Sequence, residues 1–104
     1  MLTQMVLTTE PAMLAIAPAN GGVVAKKVAV FNGTGGDQDA KVYAVKRGET
    51  PADATNKLLD FEIPDGQTLD LFSEVGTWPL VNGESLWVSA SGAGMIAHAP
   101  VVQA

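Results

Sequence analysis

The sequence predicts an all-β fold, a single antiparallel β-sandwich, Ig-like or jelly-roll-like, of about seven to eight short strands. Turn residues recur at short intervals, for example in Asn20-Gly21-Gly22, Pro64-Asp65-Gly66 and Asn82-Gly83. Glycine and proline favour chain reversal at such positions. Between the turns, apolar residues alternate with a period near two, as at Leu86 and Val88, which is typical of half-buried strands. No stretch of helical length lies between the turn motifs, so we expect no long helix.

The size of the chain indicates one domain, residues 1–104. Two separate cores in 10.7 kDa would each bury too little surface to be stable. Hydrophobic residues make up 47% and charged residues 16%, which excludes a disordered chain and predicts apolar areas on the surface. The apolar stretches are far shorter than the roughly 20 residues of a membrane helix. The first residues lack the basic region of a secretory signal, so cytosolic synthesis is the default expectation.

Charge and cysteine content narrow the classes of partner and ligand. The net charge is −5 and the pI is near 4.5, which is the wrong sign for neutralising phosphates, so we predict no nucleic-acid partner. The chain has no cysteine, which excludes disulfides and cysteine-ligated zinc. We therefore expect the hydrophobic core alone to hold the fold.

The strands are predicted in chain order from these patterns. The first lies within residues 3–7, a short one near 13–16, and the central strand at 23–31. Three hairpins follow from the short loops between later segments, because none of the loops could hold a crossover helix. The predicted pairs are 24–31 with 41–47, 58–63 with 67–72, and 85–90 with 95–101.

One segment, residues 73–80, fits neither a strand nor a helix beyond a single turn and is predicted to cross from one sheet to the other. Trp78 in this segment should cover the end of the core, since a tryptophan buries about 150–250 Å². The other aromatic side chains are scattered along strands as core residues are. Trp87 is the exception, because it opposes the face of Leu86 and Val88 and is therefore predicted to be exposed or at an interface. The aromatic residues assigned to the core are Phe31, Tyr43, Phe61 and Phe72.

The sequence contains no group of residues that predicts catalysis, a metal site or a cofactor. His98 is the sole histidine, and alternation places it with Ile96 on the face of the last strand opposite Ala97 and Ala99. Loop 32–39 lacks the lysine and helix of a phosphate loop and the ligand spacing of an EF-hand. We therefore interpret it as a hairpin tip. Asp60 and Glu62 alternate with apolar residues and are predicted to form the solvent-exposed face of a half-buried strand.

The two ends of the chain are apolar, which leaves two interpretations open. Residues 1–7 and 100–104 could be arms that dock on another subunit, or they could pair with each other at a sheet edge. Exposed strand edges offer unpaired amides and carbonyls to another chain. Protein contacts are therefore the predicted mode of action, and a homo-oligomer is expected.

Three motifs carry a resemblance. Pro18-Ala19-Asn20-Gly21-Gly22 leads into the strand of residues 23–31 and Asn32-Gly33, residues 63–71 read IPDGQTLDL, and residues 80–90 read LVNGESLWVSA. This order resembles small β-sandwich virion accessory proteins of tailed bacteriophages, of the capsid decoration or cement, head-fibre or neck type. The resemblance covers most of the chain from Pro18 to Ala97.

The resemblance implies a non-enzymatic structural protein that binds the outside of the major capsid protein lattice. Its location would be the capsid exterior after assembly in the host cytoplasm, with the major capsid protein or other virion subunits as partners. An acidic protein is repelled by packaged DNA, which favours the exterior. The alternatives are a neck or tail accessory, or a carbohydrate-binding module that uses Trp87, Trp78 or Tyr43 as a stacking platform. Candidate contact residues are Leu2, Met5, Val6, Leu7, Trp87, Val101 and Val102.

Overall fold

The computed structural model of the chain describes residues 2–72 and 76–103. In this part of the chain the backbone forms ten strands and no helix, so the all-β prediction is confirmed. No described segment is a helix of the length and hydrophobicity that crossing a membrane requires. The strands are β1 (Leu2–Val6), β2 (Ala12–Ile16), β3 (Gly22–Ala25), β4 (Ala29–Phe31), β5 (Gln38–Val45), β6 (Lys57–Ile63), β7 (Thr68–Asp70), β8 (Trp78–Val81), β9 (Ser85–Ala90) and β10 (Ile96–Gln103).

The strands form two antiparallel sheets. Sheet I contains β1, β10, β3, β4, β7 and β8, and sheet II has the order β2-β9-β5-β6. In sheet I, β3 and β4 act as one interrupted strand, because both pair with β10 and the Lys26 amide donates to the Pro100 carbonyl between them. The strands β8 and β7 pair with β3 and β4, respectively. The ten strands therefore fill eight positions.

The pairing follows a nested order. The first strand pairs with the last, β2 pairs with β9, the β3/β4 unit pairs with β7 and β8, and β5 pairs with β6. This is the connectivity of a jelly roll, in which two four-stranded layers enclose one core. The predicted β-sandwich is confirmed, and the strand order selects the jelly-roll-like form over the Ig-like form.

The three predicted hairpins are wrong. The strands β4 and β5, β6 and β7, and β9 and β10 are consecutive, but each pair is divided between sheets I and II. Their short loops therefore turn the chain from one layer to the other. Among the described strands, β5 and β6 are the consecutive pair that forms a hairpin, across loop 46–56. Loop length alone does not distinguish a turn within a sheet from a turn between sheets.

The core lies between the two sheets and is formed by the strand residues that face inward, which alternate with outward-facing ones. On β10, Ala97 and Ala99 are fully buried, whereas Ile96 and His98 are half-buried on the outer face. The predicted facing of His98 is therefore confirmed. The largest fully buried apolar side chains are Leu7, Val28, Val30, Val42, Ile63, Leu71, Phe72, Leu80, Leu86, Val88 and Met95.

The segment 73–80 does not cross between sheets as predicted. Residues 78–81 form β8, which pairs with β3, so β7 and β8, the strands before and after this segment, belong to the same sheet. Residues 73–75 lie outside the described residues. Trp78 is half-buried and packs against the core, which agrees with the cover expected for its large side chain.

Loop 32–39 is not a hairpin tip, because it joins β4 in sheet I to β5 in sheet II. Its first residue, Asn32, is fully buried, and its Nδ2 donates to the carbonyls of Gly36 and Ile63, each at 2.8 Å. The Asn32 Oδ1 accepts from the Thr34 amide and hydroxyl. The Gly35 amide donates to Asp65 at 3.0 Å. The bonds from Asn32 to Ile63 and from Gly35 to Asp65 join loop 32–39 to the turn after β6, so both Asn32 and Asp65 have a structural role.

Candidate functional site

The two ends of the chain pair with each other along sheet I. The register of β1 on β10 runs from Leu2 opposite Pro100 to Val6 opposite Ile96. The sequence left open whether the ends are arms or pair with each other at a sheet edge. Within the described residues they pair with each other. Residues 2–6 are an edge strand of the sandwich, and β10 lies inside sheet I between β1 and the β3/β4 unit.

The structure separates the predicted contact residues into inward and outward groups. Leu7 is 0% exposed and Val101 is 6% exposed, so both face the core, and Met5 packs against it from β1. Val6 is 63% exposed. Leu2 and Val102 belong to β1 and β10, but their side chains lie outside the described part of the structure.

The outer face of sheet I carries an apolar row of Val6, Ile96 and Phe31, here named the sheet I row. Val6 lies opposite Ile96, and Ile96 lies opposite Phe31, so three adjacent strands contribute one residue each. Phe31 is 40% exposed, and its assignment to the core is therefore wrong. Its ring lies against Gly33, where a Cβ would be 2.7 Å from Cε2. The glycine thus leaves room for an aromatic ring on the surface.

A polar row runs beside the sheet I row. His98 lies opposite Gln4 on one side and Ala29 on the other, and Ala29 lies opposite Asp70. No group of three or more histidine or acidic side chains in the described part of the chain could hold a metal ion. The cross-strand neighbours of His98 are therefore Gln4 and Ala29, which suit a surface or an interface between proteins. No metal-ligating residues accompany His98 among the described residues.

The outer face of sheet II carries a groove of about 430 Å³, here named the sheet II groove. Its apolar part is formed by Met13 and Ile16 of β2 and Trp87 of β9. Trp87 is half-buried and faces outward, away from the core residues Leu86 and Val88. Its Nε1 donates to the Ser85 hydroxyl at 2.8 Å, so the polar edge of the indole has a partner. The groove is completed by Lys46, Arg47, Gly48, Glu49, Gly83, Ser85, Ala17 and Ala19.

Simple alternation could not identify Met13 and Ile16 as neighbours on one face, because residues three apart in a regular strand point to opposite faces. The register of β2 on β9 shifts between Met13 and Ala15. Met13 then lies opposite Trp87 and Ile16 opposite Ser85. This bulge places both apolar side chains on the outer face, 43% and 54% exposed.

A polar cluster adjoins the sheet II groove on the same face. The Tyr43 hydroxyl donates to Asp53 Oδ1 and the Lys41 ammonium donates to Asp53 Oδ2, both at 2.7 Å. The hydrogen bond from Lys41, followed by that from Tyr43, lowers the pKa of Asp53, and the bond to Asp53 raises the pKa of Lys41. Burial raises the pKa of Tyr43. The cluster thus holds a neutral phenol and an ion pair, which is a stabilising arrangement and no activated nucleophile.

Of the aromatic residues considered for sugar stacking, Tyr43 and Trp87 lie opposite each other on sheet II, and Trp78 lies in the other sheet. Tyr43 is 4% exposed, and Trp78 belongs to sheet I and packs on the core. Trp87 alone of the three lines the sheet II groove. Of the three alternatives, Tyr43 is therefore too buried to stack on a sugar, and Trp78 and Trp87 are each half-buried on different sheets.

The described part of the chain leaves no buried side-chain nitrogen or oxygen without a hydrogen-bond partner. Its distinctive outer features are the sheet I row and the sheet II groove, both of which offer apolar contact area. Comparison with known proteins finds no family model, no curated protein and no solved structure that matches this chain.

Proposed function

We propose that this chain is a non-enzymatic structural protein of a phage virion. In this proposal it is a capsid decoration or cement protein that binds the outside of the major capsid protein lattice. The observation that carries the proposal is the sheet I row, because two of its three side chains are exposed apolar groups on the surface of a well-packed sandwich. Exposed apolar groups that adjoin one another typically mark a contact surface.

Two further features support this role. Jelly-roll sandwiches occur in viral capsid domains, although lectin domains and cupins share the architecture. The sequence motifs of residues 18–33, 63–71 and 80–90 resemble virion accessory proteins. A contact as small as the sheet I row binds weakly by itself, and a lattice that presents many equal sites allows many copies to occupy it together.

Particle purification tests the proposal. Tagged wild-type chain and the variant V6K/F31K are produced in infected cells, and capsids are separated from soluble protein by density-gradient centrifugation. We expect the wild type to co-sediment with capsids and V6K/F31K to remain soluble, because lysine at these two positions replaces apolar contact with charge. The control A54K/T55K adds the same charge at exposed positions of loop 46–56 and should co-sediment.

The copy number per particle completes the test. A copy number in proportion to the capsid protein supports lattice decoration, whereas a small fixed number indicates a ring in the neck or tail. Wild-type chain found only in the soluble fraction would contradict a virion role of either kind. Equal attachment of V6K/F31K and wild type would exclude the sheet I row as the contact surface.

A further inference from the structure

The edge of sheet II at β2 lacks the charged residues and prolines that commonly prevent strand pairing between molecules. In the described residues β2 pairs with β9 on one side and has no strand on the other. Its five residues, Ala-Met-Leu-Ala-Ile, include no charge and no proline. Natural edge strands usually carry such residues, because unpaired amides and carbonyls otherwise recruit another strand.

Two exposed apolar side chains lie on this edge strand. Met13 and Ile16 are two of the five large hydrophobic residues with substantial exposure in the described chain. Both project from the outer face of β2 and line the sheet II groove. The edge therefore combines free backbone groups with adjacent apolar side chains, as strand-addition interfaces do.

The charge distribution indicates a second copy of this chain as the partner. The chain has a net charge of −5, yet Glu10 is the only charged side chain among residues 1–25. Two copies can therefore approach through β2 with little of the like-charge repulsion that other surfaces of the chain would produce. The β2 strands of two copies therefore bring no like charges of their own together.

We propose that two copies of the chain pair antiparallel through β2 about a two-fold axis that passes between Leu14 and Ala15. This pairing places Met13 of one copy opposite Ile16 of the other, and it does so twice. Leu14 lies opposite Ala15, and both are core-facing residues with 3% and 9% exposure. The two sheets II then form one continuous sheet.

The bulge in β2 makes this register consistent. Opposed residues of an antiparallel pair project from the same face of the sheet, so an outward residue must meet an outward residue. In a regular strand Met13 and Ile16 would face opposite sides, and a two-fold axis between Leu14 and Ala15 would oppose inward and outward side chains. The register shift between Met13 and Ala15 removes this conflict.

The pairing is independent of the proposed virion attachment, because it uses sheet II and the attachment uses the sheet I row. The variant V6K/F31K therefore serves as its matched control, since it also replaces two exposed apolar residues with lysine. Failure of attachment with an intact dimer would contradict the proposed function alone. A wild-type chain that attaches to capsids but forms no dimer would contradict the β2 pairing alone.

Sedimentation velocity over a concentration series measures the association. We expect wild type and V6K/F31K to form a species of twice the 10.7 kDa chain mass. In M13K/I16K, lysines of the two copies would lie opposite each other, so we expect the dimer Kd to rise by about 100-fold or more. Circular dichroism confirms that each variant is folded. A monomeric wild type, or a dimer that M13K/I16K leaves intact, would overturn the pairing.

Disulfide trapping tests the register without depending on destabilising variants. The chain has no cysteine, so M13C and I16C proteins can be mixed and oxidised. The proposed register brings position 13 beside position 16 of the second copy, whereas two copies of position 13 lie three residues apart along the strands, roughly 10 Å. That separation is too long for a disulfide. We expect the mixed M13C–I16C product to exceed either same-residue product several-fold beyond the twofold statistical ratio, and a statistical mixture would overturn the register.

Discussion

The two edges of sheet II, β2 and β6, differ in their outward residues and agree in their inward ones. Leu14 of β2 and Ile63 of β6 both belong to the core, with 3% and 0% exposure. The outward residues of β2 are Met13 and Ile16, whereas β6 carries Lys57, Asp60 and Glu62, with a Lys57–Asp60 ion pair of 3.2 Å. Folding therefore requires both edge strands to contribute an inward-facing apolar residue to the core. The difference concerns contact with other molecules, because β6 carries charged side chains that oppose strand pairing and β2 carries none.

The largest expected effect distinguishes the inward-facing residues of β2, which stabilise the fold, from its outward-facing residues. Replacing Leu14 with alanine removes a buried side chain and leaves a cavity, so we expect a loss of about 2–5 kcal/mol in unfolding free energy. Replacing the adjacent outward residue, M13A, should change the stability of the monomer, measured at low protein concentration, by no more than about 0.5 kcal/mol. Urea denaturation measures both. Equal losses for L14A and M13A would show that the two faces of β2 are not divided as described.

The second effect concerns the protected edge. The variant D60V/E62V removes two charges from β6 and adds residues that favour strands. We expect concentration-dependent species larger than those of wild type, measured by light scattering, with little loss of folded structure. The control E10Q/E49Q removes the same two negative charges from exposed positions outside β6, and glutamine adds no apolar side chain beside β2. If it associates as strongly, net charge and not edge protection is responsible.

The smallest effect concerns Asp53, which lies in loop 46–56 before β6 and binds Lys41 and Tyr43. These hydrogen bonds lower the pKa of Asp53 below its ordinary value of 3.8. A carboxyl with a lowered folded-state pKa stabilises the fold above its unfolded pKa, and this contribution is lost as pH falls through the folded pKa. We expect D53N to lower the Tm slightly at neutral pH.

The pH dependence distinguishes the ion pair from a general effect of the substitution. The Tm difference between wild type and D53N should begin to shrink as pH falls below about 3.8, the ordinary pKa at which the unfolded chain takes up the proton, and should disappear once pH falls below the lower pKa of folded Asp53. Thermal unfolding followed by circular dichroism measures it. The control E49Q removes a charge from the same loop and should show no comparable difference. A Tm difference that is constant from neutral to acidic pH would contradict this account of Asp53.

Local sequence patterns located the strands but not their partners. The segments predicted at 3–7, 13–16 and 23–31 correspond to β1, β2 and the β3/β4 unit. The three predicted hairpins are wrong because pairing depends on which sheet each strand joins, and burial of the inward faces decides that over the whole chain. The short loops after β4, β6 and β9 are compatible with both outcomes. Nested pairing of the first strand with the last has no signal within any one segment.

The candidate surfaces were predictable in part. Alternation around Leu86 and Val88 correctly placed Trp87 on the outer face, and alternation along β10 correctly placed His98. The same rule applied to Val30 would have placed Phe31 outside. Met13 and Ile16 could not be found in this way, because a bulge shifts the period by one residue at a position that the sequence does not mark.

The sequence by itself determined that the chain folds as an antiparallel β-sandwich, since strand period and turn chemistry are local properties of the residues. The tertiary structure decided which strands are neighbours, which end residues are buried and which edges stay free. These outcomes depend on contacts between residues that are distant in the chain. Leu7 and Val6 illustrate the division, because one is enclosed by the core and the other projects from an edge strand. Only the packing of the two sheets fixes that assignment in space.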